Sequence, residues 1–222
     1  MKTHELARAV LMAVVAFAVL ALPTTSGADD GTWRLRIGGA WVAPDFSYEI
    51  VNDEGLPIHA DADSDFGLGL GLEYMVSNRL GLELGLVRAQ PETTLTAEPS
   101  PGNRLFVSDG LRFTSYQVGL NVHLTPAAPV DVSVGPVVAR VIYGNLTFLE
   151  GTDDVLEIEC EGDWAYGVNL GADLRIGGGP WSLGGAVTYL STDLVAKQRG
   201  EDERVTIDFD PMIYSLSVGY RF

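Results

Sequence analysis

The sequence predicts an all-β chain, an eight-stranded antiparallel transmembrane β-barrel with short periplasmic turns and long extracellular loops. Three observations predict it. Segments of about ten residues alternate apolar side chains with small or polar ones, the connections fall into a short class and a long class, and no segment past the leader approaches the run of about eighteen apolar residues that a helical span needs. In lipid only helices and closed barrels satisfy every backbone N–H and C=O, so a membrane chain without a helical span must close a barrel.

Met1 to about Ala28 carries Lys2 and Arg8, an apolar run from Ala9 to Leu22, and Ser26-Gly27-Ala28 at its end. This reads as a removed export signal over residues 1–28, leaving 29–222 as one barrel domain. The first strand, Thr32 to Pro44, sets Trp33, Leu35, Ile37 and Trp41 against Arg34, Arg36, Gly38 and Ala40. Phe66 to Ser77 alternates Phe66, Leu68, Leu70, Leu72, Tyr74 and Val76 with Gly67, Gly69, Gly71 and Glu73, and Leu80, Leu82, Leu84 and Leu86 continue the apolar face beyond the Ser77-Asn78-Arg79 turn. Further strands are predicted over Leu111–Leu124, Val130–Gly144, Trp164–Ile176, Trp181–Leu190 and Val205–Phe222. The last ends on an aromatic carboxy-terminus, Tyr220-Arg221-Phe222, through which the barrel-assembly machinery is expected to take hold.

Short connections then lie at Ser77–Arg79, Thr125–Pro129 and Gly177–Pro180. Long ones cover Asp45–Asp65, about Arg88–Gly110, Asn145–Asp163 and Ser191–Arg204, the asymmetry of an even-stranded outer-membrane barrel. Trp33, Tyr74, Trp181, Tyr220 and Phe222 gather near the turns, and Trp41, Tyr116, Trp164, Tyr166 and Tyr189 near the loops, as two interfacial girdles. A lipocalin-like soluble barrel would place the leucine stripes inside and the charges outside, the reverse of this pattern.

A formal charge of −16 argues against nucleic acid as a partner. The lone Cys160 cannot form an internal disulfide and reads as a bystander thiol. Gly67-Leu68-Gly69-Leu70-Gly71 keeps strict alternation with no helix after it, so it is not a nucleotide loop. Asp61, Asp63 and Asp65 have calcium-loop spacing, but Phe66 and Leu72 replace the required glycine and glutamate; no metal site is expected beyond loose cation binding. Catalysis is not expected either: His123 sits beside the Thr125 turn, positioned to pair with Asp131, and His59 lies in a loop with no adjacent serine. No cofactor is implied.

The inward positions divide by height. Near the turns they are Arg34, Arg36, Glu73, Glu83, His123, Asp131, Asp173, Arg175 and Arg221, joined by Arg79 and Asn121. Mixed charges in a lumen of about eight strands should pair into a plug on the periplasmic side, which excludes a wide aqueous pore. Near the loops the inward set is Val42, Val87, Leu111, Phe113, Val137, Val141, Tyr143, Leu190, Ile207, Phe209 and Ile213, whose outward neighbours Arg88, Arg112, Arg140 and Asp208 are polar. The wall is therefore expected to extend above the lipid, around an apolar interior that either fills itself as a core or receives a small hydrophobic molecule. The charged plug would oppose such a molecule's descent, making sideways release cheaper, and Pro136 and Pro211 mark candidate interruptions in the ladder. The three arginines are candidate contacts for lipopolysaccharide phosphates or simply solvated interface charges.

RIGGAWVAP (36–44), LGLEYMVSNRLGLELGL (70–86), DWAYGVNLGADLRI (163–176), PWSLGGAVTYLSTD (180–193) and FDPMIYSLSVGYRF (209–222) together resemble the outer-membrane protein W family, in order, over essentially the whole of 29–222. The resemblance implies a barrel in the outer membrane of a Gram-negative cell, among its lipid and lipopolysaccharide. It also implies a narrow hydrophobic channel for passive uptake of small hydrophobic molecules, with release into the membrane. The chain departs from the family pattern at Met212, where tryptophan is frequent, and at Gly135-Pro136. Barrels of this size also serve as structural or surface-interaction proteins, binding lipopolysaccharide, cations or macromolecules without transport.

Overall fold

Period-two alternation sends one side of each strand to lipid and the other to a lumen, and closure of the sheet removes the edges that lipid cannot solvate. The computed structural model describes residues 32–51, 57–100, 103–150, 154–200 and 204–222, so the export-signal reading of residues 1–28 lies outside the described residues. The strands are β1 (Trp33–Ala43), β2 (Ser47–Val51), β3 (Pro57–Ala62), β4 (Asp65–Ser77), β5 (Leu80–Ala89), β6 (Glu92–Ser100), β7 (Asn103–Gly110) and β8 (Phe113–His123). They continue as β9 (Val130–Tyr143), β10 (Leu146–Glu150), β11 (Asp154–Glu161), β12 (Trp164–Arg175), β13 (Trp181–Ser191), β14 (Asp193–Gln198), β15 (Arg204–Asp208) and β16 (Met212–Arg221).

Eight of these close the barrel in the order β1-β16-β13-β12-β9-β8-β5-β4, with β1 pairing antiparallel to both β16 and β4. The lipid-facing side carries the predicted stripes: Leu68, Leu84, Leu170, Leu183 and Leu216 are all exposed. Ring pairs mark the turn-side girdle, with Trp33 against Tyr74 and Trp181 against Tyr220, each at 4.8 Å between centroids. The turns are built locally. Thr125 Oγ1 donates to the Val130 carbonyl and accepts from the Val132 amide, both at 2.9 Å, and Gly177 and Gly178 take the left-handed φ values, 61° and 69°, that the Ile176–Trp181 reversal requires.

The four expected long loops are largely strands. They form two four-stranded sheets, β2-β3-β6-β7 and β10-β11-β14-β15, that carry the wall beyond the barrel. The Thr147 amide donates to Asp109 across the two sheets at 2.7 Å. Each of these strands is only five to nine residues long and studded with acids, so its alternation does not read as a membrane strand. The final strand also differs from the predicted Val205–Phe222: β15 stops at Asp208 and β16 starts at Met212. Pro211 has no N–H to give a ladder, and the Asp210 carboxylate holds the corner by accepting from the Thr192 amide and the Tyr189 hydroxyl, both at 3.0 Å.

Candidate functional site

The lumen is layered. At its base the strand parity of β1, β4, β5, β8, β9 and β12 brings charges of both signs onto one level. Arg34 reaches Asp173 at 2.8 Å, and Glu73 and Asp131 at 3.4 Å each. Arg36 lies 2.8 Å from Asp173, 2.9 Å from Glu73 and 3.3 Å from Glu83. His123 is held between two carboxylates, Nδ1 at 2.8 Å from Asp131 and Nε2 at 3.1 Å from Glu73. Asn121 donates to Glu73 at 2.9 Å and to Glu83 at 2.5 Å. Glu73 and His123 are fully enclosed, so each charge depends on its partners for the solvation it has lost. Arg175 stands apart from this lattice and donates to the Pro126 carbonyl near the turn, and Arg79 is exposed on its own turn. Arg221 opposes Arg34 in the β1–β16 register.

Above the charges lies a cavity of about 90 Å³. Small or polar residues make up much of its walls, Gly38, Gly69, Gly71, Gly85, Gly119, Gly171 and Gly184 with Gln117, Ser133, Asn169, Thr188, Ser215 and Ser217, and Leu70, Val87, Val137, Ile213 and Leu216 also line it. On the lipid side of the same region, a groove of about 610 Å³ lies among Trp41, Phe66, Leu170, Val187, Tyr214 and Leu216. Gly39, Gly171, Ala172, Gly185, Ala186, Ser215 and Leu216 border both spaces, so between β1 and β12 the barrel wall is little more than backbone.

The upper layer is apolar and filled. Val42, Val87, Leu111, Phe113, Val137, Val141, Tyr143, Leu190, Ile207, Phe209 and Ile213 are all buried in one cluster, with Phe46, Tyr48, Leu95, Val107, Ile158 and Val205 of the upper wall packed against it. Phe209 is the hub, with ring centroids 5.2 Å from Tyr143, 5.8 Å from Phe46 and 6.3 Å from Phe113. Cys160 belongs to the same cluster, where burial pushes its thiol up to about 11. The prolines sit at different places. Pro136 lies where the β8–β9 register omits Leu120 and Asn121, between the Gly119–Val137 and Val122–Val134 pairs, whereas Pro211 is at the junction of barrel and upper wall and its carbonyl accepts from the Leu190 amide at 3.1 Å.

Sequence parity identifies the charged and apolar layers, but it misses the small-residue layer between them and the ring of Phe46. Glycine leaves no mark in a hydropathy pattern; the clue is that several strands place glycine, alanine or serine at matching height. His59, expected in a loop, lies on β3, half exposed and 3.6 Å from Glu49. Among the described residues no group of three or more His, Cys, Asp or Glu side chains is placed to hold a metal ion.

A closed eight-stranded antiparallel sheet, apolar and aromatic-girdled outside and charged within, defines an outer-membrane β-barrel. The chain belongs to the outer membrane protein beta-barrel domain family, whose model matches residues 12–222. Two relatives, the dibenzothiophene metabolism operon proteins PahQ of Pseudomonas aeruginosa and DoxH of Pseudomonas sp. strain C18, are each 24% identical over 211 residues, 93% of this chain and 96% of the relative. Among solved structures, the outer membrane protein OprG of Pseudomonas aeruginosa superimposes with a TM-score of 0.68 at 21% identity, covering 88% of this chain and 98% of that one. AlkL, solved in lipid bilayers, gives 0.54 at 19% identity over 90% of this chain and 94% of its own. At these identities the structural likeness is one of fold.

Proposed function

We propose that the protein is a gated, passive conduit through which small hydrophobic molecules enter from the cell surface and leave sideways into the membrane. The observation that carries this reading is the continuity of the apolar interior. It runs from Phe46, Tyr48 and Leu95 in the upper wall down to Val137 and Ile213 in the barrel, while Arg88, Arg112, Arg140 and Asp208 face outward at the upper levels. A molecule moving down this interior meets the paired charges of the base, where desolvation opposes it. The low-resistance exit is then lateral, across the thin wall where the lumenal cavity and the lipid-side groove share Gly39, Gly185, Ala186 and Ser215. The two relatives named for dibenzothiophene metabolism operons, a context of hydrophobic aromatics, support the same class of cargo. No cofactor, energy source or catalytic step enters this scheme.

The rings of Phe46, Phe113, Tyr143 and Phe209 close the path, so the conformation described is the shut one and passage requires them to turn aside. That same packing favours a second reading, a structural barrel whose upper interior is only a core. Uptake of dibenzothiophene by cells carrying the protein separates the two. Val141→Asp puts a charge on the fully buried apolar path. The conduit reading expects at least a tenfold fall in uptake with the folded barrel still present in the outer membrane, and equal uptake by the variant and the native protein contradicts it.

A further inference from the structure

We propose that Arg88, Arg112 and Arg140 form a binding site for the phosphate groups of lipid A on the outer-leaflet face of the barrel. The inference rests on the outside of the wall and is independent of the conduit reading. Arg88 on β5 lies opposite Thr114 of β8, Arg140 on β9 lies opposite Tyr116 of β8, and Arg112, just before β8, is opposite Gly144, whose amide it accepts at 2.8 Å. All three side chains share the outward parity of Tyr116 and Ile142 and all are exposed. With neighbouring strands ~4.8 Å apart, they span on the order of 10 Å across three adjacent strands, enough to engage a headgroup bearing more than one phosphate.

The chain as a whole carries −16, so an anionic leaflet is repelled by most of its surface. Among the described residues the arginines are the cations at the upper margin of the lipid-facing wall. At the same level the other barrel strands present Trp41, Phe66, Trp164, Tyr189 and Tyr214. Two of the three are also uncommitted. Among the described residues neither Arg88 nor Arg112 has a carboxylate partner, and Arg140 has Asp163 at 3.8 Å and the Trp164 ring at 6.0 Å. On the upper wall, by contrast, Arg199 pairs with Glu157 and Arg204 with Glu161. Leu68 is level with Arg88 and Tyr116 with Arg140, and both are exposed, with Leu70 and Val118 exposed two residues nearer the turns, so the patch offers guanidinium above and hydrocarbon beneath, matching a phosphorylated headgroup over acyl chains.

The test is native mass spectrometry of the folded protein in nonionic detergent, titrated with hexa-acylated lipid A carrying both phosphates, with the same lipid lacking phosphate, and with phosphatidylglycerol. Bound bisphosphorylated lipid A is expected, at least tenfold tighter than either comparison lipid, and Arg88→Gln/Arg112→Gln/Arg140→Gln is expected to lose at least tenfold of that affinity. Should the triple variant misassemble, Arg112→Gln alone, tested as folded protein, is expected to lose several-fold. Equal binding of the phosphate-free lipid, equal binding of phosphatidylglycerol, or undiminished lipid A binding by the folded variants overturns the assignment.

Discussion

At the scale of single residues, the strongest constraint is the solvation that buried charges obtain from one another. Glu73 faces Arg34, Arg36, Asn121 and His123 with no exposure of its own. Removing it leaves three basic groups short of a partner, so Glu73→Ala is expected to destabilise the barrel by about 3–5 kcal/mol, measured by urea unfolding in detergent or liposomes. Glycines at matched positions behave differently for a geometrical reason. Gly38 and Gly69 are register partners, yet a Cβ on Gly38 would lie 1.9 Å from the Leu216 carbonyl oxygen while one on Gly69 would meet nothing nearer than 3.8 Å. Gly38→Ala is therefore expected to cost about 1–3 kcal/mol and Gly69→Ala close to nothing in the same unfolding assay. Cys160 gives a pH signature. With its thiol raised to about 11, roughly one molecule in ten thousand is thiolate at neutral pH. Maleimide labelling of the folded protein should be slow at pH 7 and accelerate as pH climbs toward the raised value, and fast labelling at pH 7 would contradict its burial.

At the scale of elements, period two does most of the work. The eight wall strands are legible from Leu-x-Leu-x-Leu stretches such as 80–86, and their ends fall close to the predicted ones, as with Trp164–Arg175 against Trp164–Ile176. The upper wall is not legible, because β2, β3, β6, β7, β10, β11, β14 and β15 are short and acidic, and each of the two sheets is completed only by a pairing between strands of different connections. β3 pairs β6 and β11 pairs β14, contacts that no local pattern encodes. The break at Phe209-Asp210-Pro211 was visible as a proline but not as a corner, since its hydrogen bonds come from Tyr189 and Thr192 on the neighbouring segment. The element-level consequence is that the corner ties the top of β13 to the start of β16. Asp210→Ala removes both bonds and is expected to cost about 1–3 kcal/mol and to loosen Phe209 above it, read as faster amide exchange at Thr192.

At the scale of the whole molecule, three layers follow from one register: paired charge at the base, small residues in the middle, and apolar packing above that continues into a wall built from the connections. The charged and apolar layers could be read from inward parity, whereas the middle layer emerges only when the eight barrel strands are aligned, because its signal is the absence of side chains. The central claim is that the apolar upper interior admits a hydrophobic molecule. The most direct measurement is intermolecular nuclear Overhauser contact between dibenzothiophene and the methyl groups of protein labelled at Ile, Leu and Val in deuterated detergent. The account predicts contacts to the inward methyls of Val137, Val141, Leu190 and Ile213. Contacts confined to outward methyls such as Leu84, Leu183 and Leu216 would mean that the molecule merely dissolves around the barrel, and would contradict it.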